Sequence, residues 1–225
     1  MGTVLAVTGL VAEARIAAGP NVVVVASGGN PIQLQAKLEE ALRSEIPVSA
    51  VVSFGIAGGL APGLKAGTQF VARAIVTMDG QSYESDRVWT QDLTVALGGA
   101  PVVDIAGVDA PIAAPEQKRA LHLATGAVAV DMESHIAARF AASHNLPFAA
   151  FRVVADTAEH QLPPAALVGL RDDGTIAIGA VVLSLLREPQ QVPQLIRTAL
   201  DTRAAFAALF RGRQMIAGGF GFADL

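Results

Sequence analysis

Three acidic residues stand at the ends of apolar runs, where sites are usually built. Glu13 follows the first run in Thr8-Gly9-Leu10-Val11-Ala12-Glu13-Ala14-Arg15. Glu133 opens a helical pattern in Val130-Asp131-Met132-Glu133-Ser134. Asp156 ends the strongest late run, Phe151-Arg152-Val153-Val154-Ala155-Asp156. Carboxyl groups so placed can give up or accept a proton, or stabilise a developing positive charge. Each also has a plainer role. Glu13 suits the first turn of a helix, where the macrodipole favours an acid. Asp131, Glu133 and Asp156 suit capping positions. A fourth feature gives these acids something to converge on. Val52 to Gly67 reads as a buried strand running into a turn with five glycines, Gly55, Gly58, Gly59, Gly63 and Gly67. Glycine lets a backbone approach a ligand where a side chain would clash. In α/β proteins a loop at the carboxyl end of a strand is a common place for a small ligand.

The elements that must hold these residues alternate. Strands are expected at Val4–Thr8, Val22–Ala26, Ala50–Phe54, Phe70–Thr77, Val102–Ala106 and Phe148–Ala155. Helices are expected at Pro31–Ser44, Pro115–Thr125, Met132–Asn145, Thr175–Arg187 and Pro193–Phe210. The strands are near-continuous Val/Ile/Ala runs, which suits a sheet covered on both faces. Alternation with helices predicts a mostly parallel sheet between helical layers. Asp79 to Asp92, with Tyr83 and Trp89, is polar and reads as an irregular connection or a loop covering a substrate. The tail Ala217-Gly218-Gly219-Phe220-Gly221-Phe222 has no period and reads as a frayed end or a flap over an apolar site.

Composition narrows the class. A length of 225 residues fits one domain over 1–225, and 52% hydrophobic residues allow a large core. A net charge of −4 without a basic cluster argues against nucleic acid. With no cysteine there is no thiol chemistry, no disulfide and no thiolate metal site, which suits the cytoplasm. The opening Thr3 to Ala12 lacks a basic leader and reads as a strand, not a signal sequence. Gly58 to Lys65 lacks the Gly-Lys-Ser/Thr order of a phosphate loop, and no dinucleotide fingerprint follows the first strand. Asp131 and His135 share a helical spacing but have no third ligand, so no metal is expected.

Taken in order, the motifs resemble one family. Phe54-Gly55-Ile56-Ala57-Gly58-Gly59-Leu60-Ala61-Pro62, then Val130-Asp131-Met132-Glu133-Ser134, then Arg152-Val153-Val154-Ala155-Asp156, together with Glu13, resemble the nucleoside phosphorylase superfamily. The likeness is strongest to its nucleosidase branch, which includes 5′-methylthioadenosine/S-adenosylhomocysteine nucleosidases. It implies a three-layer α/β/α sandwich with a mixed, mostly parallel sheet. It implies cleavage of an N-glycosidic bond without a cofactor. Asp156 would protonate N7 of the departing base, Glu133 would hold the ribose hydroxyls, and Glu13 would orient the nucleophile. Met132 would pack on the sugar, while Gly55, Ile56, Ala57, Gly58, Ile112, Val130 and Asp131 would line the substrate.

Departures from the pattern refine the expectation. The phosphorylases' arginine before the glycine loop is missing from Ala50-Val51-Val52-Ser53-Phe54, which shifts the nucleophile toward water. Phosphate stays open as a co-substrate, gripped by amides around Ser27-Gly28-Gly29-Asn30 with Arg15 or Arg152. Ile56 and Ala155 replace serines, and Pro111 replaces an aromatic residue. The pocket is thus more apolar and is similar to the hopanoid-associated phosphorylase subfamily, implicated in removing adenine from adenosylhopane. A homodimer is implied, and an apolar substrate would bring the protein to a membrane surface. A phosphate-dependent purine nucleoside phosphorylase and a non-catalytic nucleoside-binding protein are the alternatives.

Overall fold

A computed structural model describes residues 2–28, 30–168, 175 and 177–222. Eight strands are found among them: β1 (Thr3–Thr8), β2 (Val22–Ala26), β3 (Val48–Gly59), β4 (Gln69–Thr77), β5 (Ser82–Glu84), β6 (Val102–Gly107), β7 (Ala129–Asp131) and β8 (Phe148–Asp156). The helices among them are α1 (Val11–Ala17), α2 (Pro31–Arg43), α3 (Arg87–Ala96), α4 (Pro115–Thr125), α5 (Ser134–Ser143), α6 (Pro164–Leu167), α7 (Ile178–Arg187) and α8 (Val192–Met215).

Local chemistry explains most boundaries. Asn30 caps α2 by accepting the Gln33 N–H at 3.1 Å, and Pro31 occupies the first helical position. Pro115 opens α4, and Gly126 closes it with φ of 71°. Asp86 caps α3 through the Trp89 N–H at 2.9 Å.

β1 pairs in parallel with β2 and β3, and β3 in parallel with β8. β8 then meets β4 antiparallel, β4 meets β6 parallel, β6 meets β7 parallel, and β7 returns antiparallel to β3. Strands β3, β8, β4, β6 and β7 therefore close a circuit, and β1–β2 extends from it. The sheet is mixed and mostly parallel, as expected. α1, α3 and α8 cover one face around Phe54, Phe151 and Leu209. α2 and α5 cover the other around Leu34, Leu38 and Ile136. This is the three-layer arrangement that the alternation predicted.

Four expectations need correction. The glycine turn does not start at Gly55, because β3 continues to Gly59. Its carboxyl half pairs with β8 along one side and, at Gly58 and Gly59, with β7 on the other, while the Ile56 amide and carbonyl are met by side chains. Residues 79–92 are not an irregular cover: they hold β5 and the start of α3, and Trp89 is buried. Helix α5 starts at Ser134, not Met132, because Asp131 accepts the amides of Glu133 and Ser134 at 3.0 and 2.7 Å and so fixes the first turn there. The tail through Phe222 is not frayed. Phe220 is fully buried, edge-on to Phe54 at 5.1 Å, and its carbonyl accepts the Trp89 indole N–H at 2.9 Å. This tail packs near Pro20 and Asn21, at the amino ends of β1 and β2, away from Glu13 and Asp156. Residues 223–225 lie outside the described ones. No helix among the described residues is long and apolar enough to cross a membrane.

Candidate active site

The carboxyl ends of β1, β2 and β8, the second half of β3, and the β7–α5 junction bring the acids to one region. Glu13 lies in the first turn of α1, 2% exposed. One of its oxygens accepts the Gly9 and Leu10 amides at 2.8 and 2.7 Å, and the other accepts the Ile56 amide at 2.7 Å. Its carboxylate thus ties α1 to the middle of the glycine strand. Burial pushes its pKa up, and Arg152 and the three amides pull it back.

Arg152, in β8, is fully buried and links this acid to two others. It pairs with Asp131 at 2.8 Å and lies 3.7 Å from Glu133. It also donates to Ser53 at 2.5 Å and to Ser134 at 3.2 Å. Glu133 accepts a hydrogen bond from Ser27 at 3.2 Å. Burial is the main force raising the Glu133 pKa to about 7. Arg152 opposes it, while Asp131 and Glu13 add to it. Three carboxyl groups share one guanidinium here, and of them Glu13 and Glu133 raise each other's proton affinity through their like charge.

The closeness of these groups depends on missing side chains. A Cβ at Gly55 would stand 2.5 Å from a Glu13 oxygen and 2.7 Å from an Arg152 nitrogen. A Cβ at Gly9 would stand 2.8 Å from a Glu133 oxygen. The glycines in β3 therefore make room for charged side chains of the protein itself.

The second cluster lies one step along β3. Asp156 sits beside Gly58, where a Cβ would be 3.4 Å from its nearer oxygen and 3.2 Å from Val130. Burial raises its pKa, and the ammonium of Lys118 opposes that. Lys118, on α4, is fully buried, ion-pairs with Asp156, and donates to the carbonyls of Thr157 and His160 at 2.8 and 3.0 Å.

The remaining expected residues fall around this strand. Ala57 is buried, Ile56 is half-buried, and Val130 and Ile112 join an apolar cluster with Leu60 and Leu121. Met132 is half-buried in the bend before α5. Asp131 spends its oxygens on Arg152, Ser134 and the α5 amides, so it acts on the site through these partners. Asp131 and His135 do not converge: the His135 ring meets Asp109 at 3.0 Å. No group of three potential metal ligands is found among the described residues. Sequence reasoning missed Lys118. The signal was a lysine three residues before Leu121, on the inner side of an amphipathic helix.

A family model described as the phosphorylase superfamily matches residues 6–187. The chain belongs to the phosphorylase superfamily. As a member it is an enzyme of the nucleosidase and nucleoside phosphorylase kind. Solved structures share the superfamily fold. The 5′-methylthioadenosine/S-adenosylhomocysteine nucleosidase of Campylobacter jejuni has 13% identity, covering 96% of this chain and 98% of that one, with a TM-score of 0.66. The futalosine hydrolase of Helicobacter pylori has 15% identity over 95% and 97%, with a TM-score of 0.66. The S. pneumoniae nucleosidase bound to a transition-state inhibitor has 20% identity over 82% and 98%, with a TM-score of 0.62. A search of curated proteins returned no match.

Proposed function

We propose that this superfamily member hydrolyses the N-glycosidic bond of an adenine nucleoside carrying an apolar 5′ substituent. One observation carries the reading: a carboxyl-rich cluster and a half-buried, lysine-paired acid flank the same strand two residues apart. Glu13 holds the Ile56 amide, and Asp156 stands at Gly58. Two strand residues span about 7 Å, room for a nucleophile on one side of the anomeric carbon and for the purine N7 on the other.

The roles follow from charge. As the bond breaks, positive charge grows on the ribose and its electron pair leaves with the base. Asp156, favoured in its protonated form by burial, gives that proton to N7. Glu133, when ionised, accepts hydrogen bonds from the ribose hydroxyls and stabilises the oxocarbenium-like sugar. A carboxylate has about four acceptor directions, of which three amides occupy three at Glu13. The fourth suits a water, whose oxygen attacks the anomeric carbon and whose proton passes to Glu13. The products are adenine and the 5′-substituted ribose.

Water is favoured over phosphate by the described part of the proposed phosphate cradle, Gly29 lying outside the described residues. The amides of Ser27, Gly28 and Asn30 already donate to the carbonyls of Thr8, Gly9 and Ser27. Arg152 is committed to the carboxyl cluster, and Arg15 is exposed. The apolar 5′ side rests on Ile56 and on Ile112 beside Leu60 and Val130. These substitutions fit a hopanoid-type adenosine. Adenine release from adenosines with progressively longer 5′ alkyl groups, with and without phosphate, tests the reading. We expect equal rates without phosphate and a kcat/KM that rises with chain length. Obligatory phosphate, or a preference for unsubstituted adenosine, would reject it.

A further inference from the structure

The ion pair between Lys118 and Asp156 is more than the site chemistry above requires. Lysine is almost never fully buried unless it is paired. Here the three N–H donors of one ammonium meet three acceptors: an Asp156 oxygen and the carbonyls of Thr157 and His160. Lys118 comes from α4, a helix that contributes none of the three acids. It reaches the last residue of β8 and the turn that follows. The same turn is tied to the entrance of α4 by the Leu162 amide, which donates to Ala113 at 3.0 Å. Holding the turn needs only the two carbonyls. The third contact falls on the proposed acid.

We propose that Lys118 is a positioning residue for Asp156: it clamps one carboxyl oxygen and leaves the other to carry the proton to the departing base. The inference rests on the nucleosidase reading and adds a control element to it. The clamp has two consequences. It fixes the carboxyl plane against β3, where a Cβ at Gly58 would stand 3.4 and 3.5 Å from the two Asp156 oxygens. It also sets the proton balance of the acid. Burial favours the protonated form, and the adjacent ammonium opposes it. Two other charged or titratable groups face Asp156: His160 from the turn after β8, and Asp201 from α8, which lies 3.7 Å from His160. Their effects on Asp156 are opposite in sign and rank below that of Lys118. Lys118 is therefore the main brake on the upward shift.

The test is the pH profile of adenine release from 5′-methylthioadenosine by wild type, Lys118→Met and Asp156→Asn. Methionine keeps the chain length and removes the charge. With the brake gone the acid holds its proton to higher pH, so the alkaline limb should move up by about one unit or more. A weaker, less well-held acid should lower kcat by roughly tenfold, with KM nearly unchanged. An unmoved alkaline limb in folded Lys118→Met would overturn the proposal, because a purely structural staple would leave the limb in place. If Lys118→Met does not fold, the wild-type chain still decides. Its three lysines, Lys37, Lys65 and Lys118, can be labelled with ¹³C at Cε. One of the three signals should resist reductive methylation of the native protein, titrate with the alkaline limb, and move in Asp156→Asn. Methylation of all three, or signals indifferent to Asp156→Asn, would reject the pair. Adenine release at the wild-type rate by Asp156→Asn would instead reject the nucleosidase reading. An inactive Asp156→Asn beside an unshifted Lys118→Met would reject only the role of Lys118.

Discussion

The two carboxyl clusters beside β3 are built on different charge balances. Around Arg152 three carboxyl groups, Asp131, Glu133 and Glu13, share a single cation. Around Lys118 one carboxyl meets one cation. The first cluster carries surplus negative charge whenever more than one of its acids is ionised. That suits a sugar developing positive charge, since a fixed anion in a dry site stabilises such a charge without reorganisation. The second cluster is balanced, and a small change of charge decides whether its acid holds a proton. That suits a group that must lose a proton in every cycle. On the proposed function, one strand would support two electrostatic tasks. The glycines between them let the protein's own side chains approach the backbone on both sides.

The comparison can be broken at several points. The largest effect is expected at Glu13. Glu13→Gln keeps an acceptor for the Ile56 amide but loses the base, so kcat should fall by about 10²–10⁴-fold with little change in KM. A near-normal kcat would remove the water-orienting role. Gly55→Ala should be next. Its Cβ would press on both Glu13 and Arg152, and overpacking a fixed site costs about 1–3 kcal/mol. A lower melting temperature should accompany a lower kcat, and a variant matching wild type in both would show that the cluster is not tightly built. The third effect concerns stability and grows with pH. Folded Glu133 keeps its proton up to about 7, whereas the unfolded residue releases it near 4.5. The stabilisation from its raised pKa is therefore full below about 4.5 and is lost as pH rises through 7. At ~1.4 kcal/mol per pH unit, the loss reaches about 3 kcal/mol. Glu133→Gln does not titrate, so its melting temperature relative to wild type should climb between pH 4.5 and 7. Parallel melting curves would contradict the shift.

The long apolar strands, the layering and the three acids were legible in the sequence because each has a local signature. Val22 to Val25 can hardly be anything but a buried strand, and Pro115 with Gly126 brackets α4. What was hidden depends on distant partners. β5 and β7 are three residues each, too short for a period, and β7 is held by β3 and β6. The run from Gly55 to Gly59 looks like a turn until its two neighbouring strands are known. The glycine-rich tail looks loose until Phe220 meets Phe54 and Trp89. Lys118 is separated from Asp156 by 38 residues, and its spacing to Leu121 marks the inner face of α4 without naming the acid it meets there. Arg152 was visible as part of a motif, but its grip on three carboxyl groups was not.

The division of labour between the two clusters is tested most directly by single-turnover release of adenine from 5′-methylthioadenosine across pH. In wild type the rate should gain from ionisation of Glu133, whose pKa burial raises to about 7, and should be lost as Asp156, whose pKa burial also raises, gives up its proton. Asp156→Asn should release adenine about 10²–10⁴-fold more slowly and without the alkaline limb. Adenine release by Asp156→Asn at the wild-type rate, with both limbs intact, would contradict the account.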